Sequence, residues 1–186
     1  MAVIYSDIHK PLVEKSKQGE YKAQQKLYKL YAKAMFNICY RMMNNFEEAE
    51  DMLQDSFTYA FQKLDSFRYE SSFGAWLKRI VVNRCINELK RKKTELILTP
   101  DFKGLDKLDA DDLSDNQYEI AVTVQKVHKA IALLPDGYRV VLSLYLLEGY
   151  DHTEISDILG ISESTSKSQF LRARKKLIEI MKTFTN

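Results

Sequence analysis

Residues 151–177 read DHTEISDILGISESTSKSQFLRARKKL and contain the clearest signal of the fold. Asp151 is followed three residues later by Glu154, a pattern typical of the capping box that begins a helix. Gly160 then predicts a tight turn, and Ser162 is placed to cap a second helix. Two helices joined by a short glycine-containing turn are typical of a helix-turn-helix, so the stretch predicts a DNA-binding motif.

The last predicted helix has two different faces. One stripe should pack on the preceding helix and consists of Ser166, Phe170, Ala173 and Leu177, with the Ser166 hydroxyl expected to bond to a carbonyl one turn earlier. The opposite face carries small hydroxyls near the helix start and basic side chains further along: Ser164, Thr165, Ser168, Arg172 and Lys175. Small hydroxyls can approach base edges, whereas Arg and Lys neutralise phosphates. The alternative is a solvated basic face, but the capped helix and turn just upstream favour DNA binding.

An acidic segment divides the chain into two modules. Residues 98–119 hold seven acidic and two basic side chains, whereas the flanking segments are net basic. Pro100 and Gly104 lie in this segment, and its apolar residues do not repeat at a helical period. We therefore expect a domain at 1–94, an acidic flexible linker at 95–118 and a second domain at 119–186. In the second domain, helices are predicted near residues 120–134 and 139–147, before the helix-turn-helix.

The first module contains a strongly amphipathic segment at residues 47–64. Its apolar face is Ala49, Met52, Leu53, Phe57, Ala60, Phe61 and Leu64, and its polar face is Glu47, Asp51, Gln54, Asp55 and Thr58. Before it, apolar residues at helical spacing between Leu27 and Met42 predict a helix that ends at Asn44 and Asn45. An acidic helix face is usually a solvent-exposed surface without a binding partner. It would have a binding function if the module docks on a basic partner.

A third long helix is expected to begin at Ser71 or Ser72 and to continue to about Lys92. Its projecting face is Arg79, Asn83, Asn87 and Lys90, with Trp76 beside it. Asn suits a bidentate contact with adenine, and aromatic rings can stack on unpaired bases. The alternative is that Trp76 and Ile80 are core and that the basic end is a solvated helix terminus, and charge counting alone favours this alternative.

Composition excludes several classes of protein. With 186 residues, 45% hydrophobic and 29% charged, the chain is globular, and 6 Gly with 3 Pro favour long helices and an all-α fold. The longest apolar run, residues 140–147, is too short to span a membrane, and the start shows no secretory signal. Cys39 and Cys85 lack metal or redox spacing. The three histidines are far apart and no catalytic motif is present, so we expect a cytoplasmic protein without enzyme activity, metal, cofactor or membrane insertion.

Three segments in order resemble the bacterial RNA polymerase sigma factors of the extracytoplasmic-function (ECF) type within the sigma-70 family. Residues 47–57, EEAEDMLQDSF, are similar to the polymerase-docking helix of that family. Residues 67–83, FRYESSFGAWLKRIVVN, resemble its promoter-melting loop and minus-ten recognition helix. Residues 134–177 resemble its helix-turn-helix for the minus-thirty-five element, with departures at Ser166, where an aliphatic residue is common, and Gln169, where Arg is frequent.

The resemblance implies partners and residue roles. Core RNA polymerase would contact Glu47, Asp51, Gln54 and Asp55. Minus-ten DNA, with a base flipped from the melted strand, would contact Phe67, Arg68, Tyr69, Ser71, Trp76, Arg79, Asn83 and Asn87. Minus-thirty-five duplex DNA would contact Ser164, Thr165, Lys167, Ser168, Gln169, Arg172 and Lys175. The acidic linker would follow the RNA exit path and mimic nascent RNA, and an anti-sigma factor is a plausible inhibitory partner.

The sequence therefore predicts a promoter-specificity subunit of RNA polymerase. A second interpretation is a stand-alone helix-turn-helix regulator that binds duplex DNA without polymerase. That class of protein needs no acidic docking face and no tryptophan-containing loop-helix. The acidic face at residues 47–55 and the segment around Trp76 favour the sigma factor.

Overall fold

The structure is a computed structural model that describes residues 8–95 and 115–184. Within these residues it contains eight α-helices, one short 3₁₀ helix at Leu64–Ser66 and no β-strand, so the predicted all-α class is confirmed. The helices are α1 (Lys10–Lys17), α2 (Tyr21–Met43), α3 (Phe46–Gln62), α4 (Phe73–Glu95), α5 (Asp115–Ala132), α6 (Asp136–Leu146), α7 (His152–Leu159) and α8 (Glu163–Thr183). The chain divides into two compact units, Met1–Lys90 and Arg91–Asn186.

The predicted break between α2 and α3 is confirmed and is made by two asparagines. Asn44 adopts the left-handed conformation with φ 55°, which ends α2, and its N–H donates to the Tyr40 carbonyl at 2.9 Å. Asn45 is the N-cap of α3, because its side-chain oxygen accepts a hydrogen bond of 3.0 Å from the N–H of Glu48. The two helices therefore reverse direction with few residues between them and pack against each other.

Helices α2, α3 and α4 bury their apolar stripes together in the first unit. The largest fully buried side chains of this core include Leu27, Met42, Leu64, Phe73 and Leu77. The apolar stripes predicted for α2 and α3 are largely buried, although Ala34, which follows the helical spacing between Leu27 and Met42, is exposed. Packing of these faces accounts for most of the stability of the helices, because helices in proteins are stabilised mainly by tertiary packing of an amphipathic face.

Helix α1 was missing from the sequence-based prediction. It buries Val13 and Ser16, and Pro11 near its N-terminus fits the preference of proline for the first helical turn. His9 precedes the helix and its Nδ1 lies 2.7 Å from the hydroxyl oxygen of Tyr31 on α2. The side-chain amide of Gln24 donates to the Ser16 carbonyl at 3.3 Å. These contacts fix α1 on the first unit.

The ends of the predicted linker overlap the observed helices. Helix α4 extends to Glu95 and α5 begins at Asp115, so both reach inside the predicted segment 95–118. Residues 96–114, where the acidic side chains are concentrated, lie outside the described residues. The boundaries of the linker and its role in the RNA exit path stay predictions.

In the second unit, α5, α6 and α8 surround one apolar cluster. Its buried members are Ile131, Leu134, Leu142 and Ala173, and Val127, Tyr138, Leu177 and Ile180 pack against them. Helix α6 begins at Asp136, three residues before the predicted start. The early start is stabilised by the buried Arg139, which donates to the Leu134 carbonyl at 3.0 Å and to the Asp136 carboxylate at 2.6 Å. Among the described helices, none is long and apolar enough to cross a membrane.

Candidate nucleic-acid interface

The acidic residues of α3 lie on its solvent face. Glu47, Asp51, Gln54 and Asp55 are all exposed, while Ala49, Leu53, Ser56, Phe57 and Ala60 are buried on the opposite side. The helical period of the sequence separates the two groups, because residues three and four positions apart share a face. The structure thus brings together the four residues that sequence reasoning selected for polymerase binding.

A basic residue of α4 adjoins this acidic face. The Nη2 atom of Arg84 lies 3.4 Å from Oδ2 of Asp55, and its guanidinium lies 5.1 Å from the ring centroid of Tyr59. Sequence reasoning did not select Arg84, because the pairing joins residues 29 positions apart. The pair places the acidic face of α3 beside α4.

Helix α4 projects the polar face that its sequence predicts. Arg79, Asn83, Asn87 and Lys90 are exposed, and Trp76 is half-buried at the start of the helix. The Ser72 hydroxyl caps the helix by accepting a hydrogen bond of 3.2 Å from the N–H of Ala75. Steps of four, four and three residues place the amides and the basic groups along one side, where they can meet DNA.

The side chains of the loop at residues 67–72 differ in their exposure to solvent. Arg68 is exposed, Ser71 is half-buried, and Phe67 is buried at 3% exposure. The Phe67 ring packs against Trp76 with 5.2 Å between ring centroids and against Tyr69 with 4.6 Å. In this conformation Phe67 supports its two half-buried aromatic neighbours, Tyr69 and Trp76, and does not itself face solvent. Its selection as a DNA-contacting side chain therefore requires the loop to open.

Three side chains of α1 contact this loop and were missed by sequence reasoning. Tyr69 donates a hydrogen bond from its hydroxyl to the carboxylate of Glu14. This bond is the main cause that holds the pKa of Glu14 below its ordinary value of 4.5, although partial burial acts in the opposite direction. Lys17 donates to the Phe67 carbonyl at 3.0 Å, and Lys10 lies over the Tyr69 ring. The spacing of Lys10, Glu14 and Lys17, which places them on one helix face, was the available signal.

The helix-turn-helix forms as the sequence predicts. Asp151 and Glu154 make a complete capping box at the start of α7, with hydrogen bonds of 2.8 and 2.9 Å. Gly160 ends α7 at φ 69°, a left-handed conformation that favours glycine. Ser162 then caps α8, since its hydroxyl accepts a hydrogen bond of 3.1 Å from the N–H of Thr165.

Most of the residues selected on α8 share its exposed face. Ser164, Ser168, Arg172 and Lys175 are exposed and Thr165 is half-buried. Lys167 is exposed, but its Nζ lies 2.6 Å from a carboxylate oxygen of Glu163. Gln169 is half-buried, and its Oε1 lies 3.8 Å from the position that a Cβ on Gly137 would occupy, so it faces the start of α6. Lys167 is therefore paired within α8. The hydroxyls beside it also bond locally, Ser164 and Thr165 with the Ser162 hydroxyl at 2.9 and 2.7 Å and Ser168 with the Ser164 carbonyl at 2.8 Å.

Ser166 forms a different bond from the expected one. It is fully buried on the packing stripe, as predicted, but its Oγ lies 2.9 Å from Nδ1 of His152 on α7. The Ser166 hydroxyl therefore pairs with His152 and not, as expected, with a carbonyl one turn earlier on α8. His152 stacks on Tyr145 at 4.5 Å between ring centroids and meets Phe170 edge to face. This polar and aromatic contact fixes α8 against α6 and α7, which explains a polar residue at a buried position.

The cysteines lie in the core of the first unit. Cys39 and Cys85 are both free and buried. A hydrogen bond with Cys39, together with burial, raises the pKa of the Cys85 thiol, so it stays protonated and unreactive. In the part of the chain that the structure describes, no group of three or more His, Cys, Asp or Glu side chains could hold a metal ion.

Comparisons with known proteins identify both units. The sigma-70 region 2 family matches residues 27–95, and the sigma-70 region 4 family matches residues 124–177. The chain is 30% identical over 175 residues to the ECF RNA polymerase sigma factor SigW of Bacillus subtilis, covering 90% of this chain and 94% of that protein. It is 31% identical over 173 residues to the ECF RNA polymerase sigma-E factor of Haemophilus influenzae, covering 89% and 91%.

Two solved structures have a similar fold. The sigma factor RpoE of Bartonella quintana, solved with the anti-sigma factor NepR, matches at a TM-score of 0.60 and 23% identity over 85% of this chain and 96% of that one. CnrH, solved with the cytosolic domain of CnrY, matches at 0.57 and 22% identity over 95% and 99%. Together with the sequence relatives, these matches agree with the motif order and with the two helical units. The chain belongs to the ECF family of RNA polymerase sigma factors.

Proposed function

We propose that this protein binds core RNA polymerase and directs it to promoters by reading the minus-ten and minus-thirty-five elements. The observation that carries the proposal is the placement of three solvent-facing surfaces on separately capped helices of a sigma-factor chain. One surface is acidic, on α3, and two are rich in amides, hydroxyls and basic groups, on α4 and α8. The protein acts by recognition and contributes no catalytic group of its own.

The acidic face of α3 is the proposed polymerase-docking surface. Glu47, Asp51 and Asp55 provide negative charge, and Gln54 adds a hydrogen-bonding group between them. The three carboxylates complement a basic partner surface, and complementary charge favours both encounter and correct register. The buried opposite side of the helix allows these residues to bind a partner without disturbing the core.

The polar face of α4 and the neighbouring loop are the proposed minus-ten surface. Asn83 and Asn87 can each offer a donor and an acceptor to a base edge, and Arg79 can neutralise a phosphate. Trp76 and Tyr69 provide aromatic faces for a base that has left the duplex, and Arg68 and Ser71 flank them. Phe67 is buried under this loop, and its contribution is to hold the rings of Trp76 and Tyr69 in position.

The exposed face of α8 is the proposed minus-thirty-five surface. Ser164, Thr165 and Ser168 lie near the helix start, where the partial positive charge of the N-terminus also favours phosphate. Arg172 and Lys175 follow along the same face and extend the basic surface. Lys167 and Gln169 lie beside this row. Binding of DNA by Lys167 would require release from Glu163, whereas the half-buried Gln169 faces the start of α6.

An anti-sigma factor is a further proposed partner. The structure of RpoE, which is similar in fold to this chain, was solved in complex with an anti-sigma factor. A protein that covers the acidic face of α3 would compete with polymerase. We place the protein in the bacterial cytoplasm, where both polymerase and promoter DNA are found.

Run-off transcription tests this function against the alternative of a stand-alone regulator. Core polymerase is mixed with genomic promoter fragments, with and without the protein, and transcripts are mapped. We expect defined start sites only when protein and core are both present. Stable promoter binding by the isolated protein, with no transcripts directed by the mixture, would instead identify a polymerase-independent regulator.

A further inference from the structure

Helix α1 presents a charged face to the loop that follows α3. Lys10, Glu14 and Lys17 are separated by four and three residues, so they lie on one side of the helix. The other side is held by the buried Val13 and by the contact of His9 with Tyr31. The charged face is therefore fixed in position on the first unit and does not depend on the loop for its own placement.

All three side chains converge on Tyr69. Its hydroxyl donates a hydrogen bond to the Glu14 carboxylate, and its ring centroid lies 4.8 Å from Nζ of Lys17 and 5.1 Å from Nζ of Lys10. Lys17 also donates to the Phe67 carbonyl at 3.0 Å and lies 3.6 Å from the Glu14 carboxylate. We call the set Lys10, Glu14, Lys17 and Tyr69 the α1 clip.

The backbone of Tyr69 adopts a conformation that needs such support. Its φ is +59°, in the left-handed region that L-residues with a Cβ avoid. A residue other than glycine keeps this conformation only when its surroundings hold it there. The phenol hydroxyl, the ring and the neighbouring Phe67 carbonyl are all contacted by α1, so the clip provides that support.

The loop is in turn connected to the start of α4. Phe67 lies between Tyr69 and Trp76, with ring centroid distances of 4.6 and 5.2 Å. Because Phe67 is buried and closely packed, a change in the position of Tyr69 also displaces the rings of Phe67 and Trp76. The position of α1 is therefore coupled to both aromatic side chains proposed to receive an unpaired base.

We propose that the α1 clip is a positioning device that fixes the loop at residues 67–72 before DNA arrives, so that capture of an unpaired minus-ten base costs less conformational entropy. The inference rests on the proposed function of the loop. Glu14 and Lys17 act through Tyr69 and are positioning residues that do not touch the base. Ordering a loop in advance increases affinity because the free state has less freedom to lose.

The charge state of Glu14 is consistent with a clip that is closed at neutral pH. The hydrogen bond from Tyr69 lowers the pKa of the carboxyl, with Lys17 and Lys10 acting in the same direction. Glu14 is therefore ionised at neutral pH. A hydrogen bond from the Tyr69 phenol to this charged carboxylate is stronger than one to a neutral acceptor.

The experiment measures DNA affinity of holoenzyme assembled from the full chain and bacterial core polymerase. The probe is a fork-junction DNA with a duplex minus-thirty-five element and an unpaired minus-ten strand, taken from a promoter that the wild-type protein uses. In a series of such DNAs, one unpaired nucleotide at a time is made abasic. The variants are Glu14→Ala, Glu14→Gln and Tyr69→Phe, and the matched control is Lys15→Ala, an exposed α1 residue outside the clip.

We expect wild-type holoenzyme to lose affinity when one position, that of the captured base, is abasic. Glu14→Ala and Tyr69→Phe should weaken binding of the intact fork by about 3- to 10-fold, less than the full effect of one hydrogen bond to a charged group, because the bond acts on DNA only through the loop. On the DNA that is abasic at that position, their further loss should be under about 2-fold, because the two changes remove the same coupling. Glu14→Gln should lie between, since its amide oxygen still accepts from Tyr69, and Lys15→Ala should match wild type.

Three outcomes would overturn the inference. The variants could bind the intact fork as tightly as wild type, or they could lose equal affinity on intact and abasic DNA, which indicates a general structural defect. Wild type could also show no sensitive position, which excludes base capture. Tyr69→Phe keeps the ring and its contacts, so it tests the bond even if Glu14→Ala unfolds. Failure of the wild-type protein to bind core polymerase would instead contradict the proposed function itself.

Discussion

Arg84 on α4 and Asp55 on α3 form an ion pair, with 3.4 Å between Nη2 and Oδ2. The Asp55 side chain is 58% exposed and that of Arg84 is 34% exposed, so water screens the pair. Exposed pairs of this kind contribute about 0–1 kcal/mol to stability. Asp55 can therefore exchange Arg84 for a partner at little cost to the fold, and substitutions at Asp55 report on binding more than on folding.

Charge reversal on α3 should abolish polymerase binding. In the variant Asp51→Lys with Asp55→Lys, two lysines would face a basic partner surface, and such like-charge contacts cost several kcal/mol, or roughly 100-fold or more in core affinity. The loss of the Asp55–Arg84 pair should lower the free energy of unfolding by under about 1 kcal/mol. Core pull-down and thermal melting measure the two effects.

The control for charge reversal carries the same change in net charge elsewhere. Glu20→Lys with Asp157→Lys replaces two exposed acidic residues outside α3. This variant should bind core polymerase as the wild type does. Full core binding by a folded Asp51→Lys, Asp55→Lys protein would rule out the α3 face as the docking surface.

Asn83→Ala should change the sequence preference at one minus-ten position. A bidentate contact between an asparagine amide and adenine contributes about 1–3 kcal/mol of discrimination against the wrong base. Transcription from a library randomised in the minus-ten element, read by sequencing, gives the preference at each position. Asn37→Ala, at an exposed asparagine of α2, is the matched control and should leave every position unchanged. A uniform loss of activity in Asn83→Ala would argue against base-specific contact.

Arg172→Ala should instead weaken upstream binding on all sequences. A phosphate contact contributes little base discrimination, but its loss reduces the salt dependence of binding by about one unit in the logarithmic slope. Holoenzyme affinity for promoter DNA is measured across a range of salt concentrations. Lys182→Ala, in the last turn of the same helix, is the control and should keep the wild-type slope. If the Arg172→Ala slope also stays unchanged, Arg172 is not a phosphate contact.

Much of the fold could be predicted because its signals are local in sequence. The capping box of Asp151 and Glu154, the serine cap of α8 and the break at Asn44 and Asn45 each depend on residues within four positions. The amphipathic period of α3 likewise separated its buried and exposed residues. In these elements local preference and tertiary packing agree, which is why a single sequence is sufficient.

The features that were missed depend on contacts distant in sequence. Glu14 and Tyr69 are 55 residues apart, and Asp55 and Arg84 are 29 apart, so no local pattern pairs them. Helix α1 is only eight residues long, and a helix that short is not stable alone, so its formation depends on packing against the rest of the unit. The burial of Phe67 has the same origin, because a loop side chain becomes core only when the helices around it are placed.

Ser166→Ala and Ser168→Ala should separate stability from DNA binding within one helix. Ser166 is buried and bonded to His152, so its removal should destabilise the second unit by about 0.5–1.5 kcal/mol. Ser168 is exposed and its hydroxyl donates to the Ser164 carbonyl at 2.8 Å, so alanine should be neutral or slightly stabilising there. Hydrogen exchange of α8 amides measures stability in both variants. Minus-thirty-five affinity should fall for Ser168→Ala, whose side chain lies on the proposed DNA-binding face. The assignment fails if Ser168→Ala binds DNA normally and Ser166→Ala exchanges no faster.

The final prediction concerns the titration of Glu14. Because Tyr69 donates to the ionised carboxylate, the folded-state pKa lies below the ordinary value of 4.5, and Tyr69→Phe should raise it toward that value. For a carboxyl whose folded pKa is lowered, the stabilisation is complete above the unfolded pKa and is lost as pH falls through the folded pKa. The clip should therefore stay closed at neutral pH and open only in acid. Nuclear magnetic resonance of the Glu14 side chain gives the pKa directly. An identical Glu14 pKa in wild type and Tyr69→Phe would show that the phenol does not bond to the carboxylate in solution.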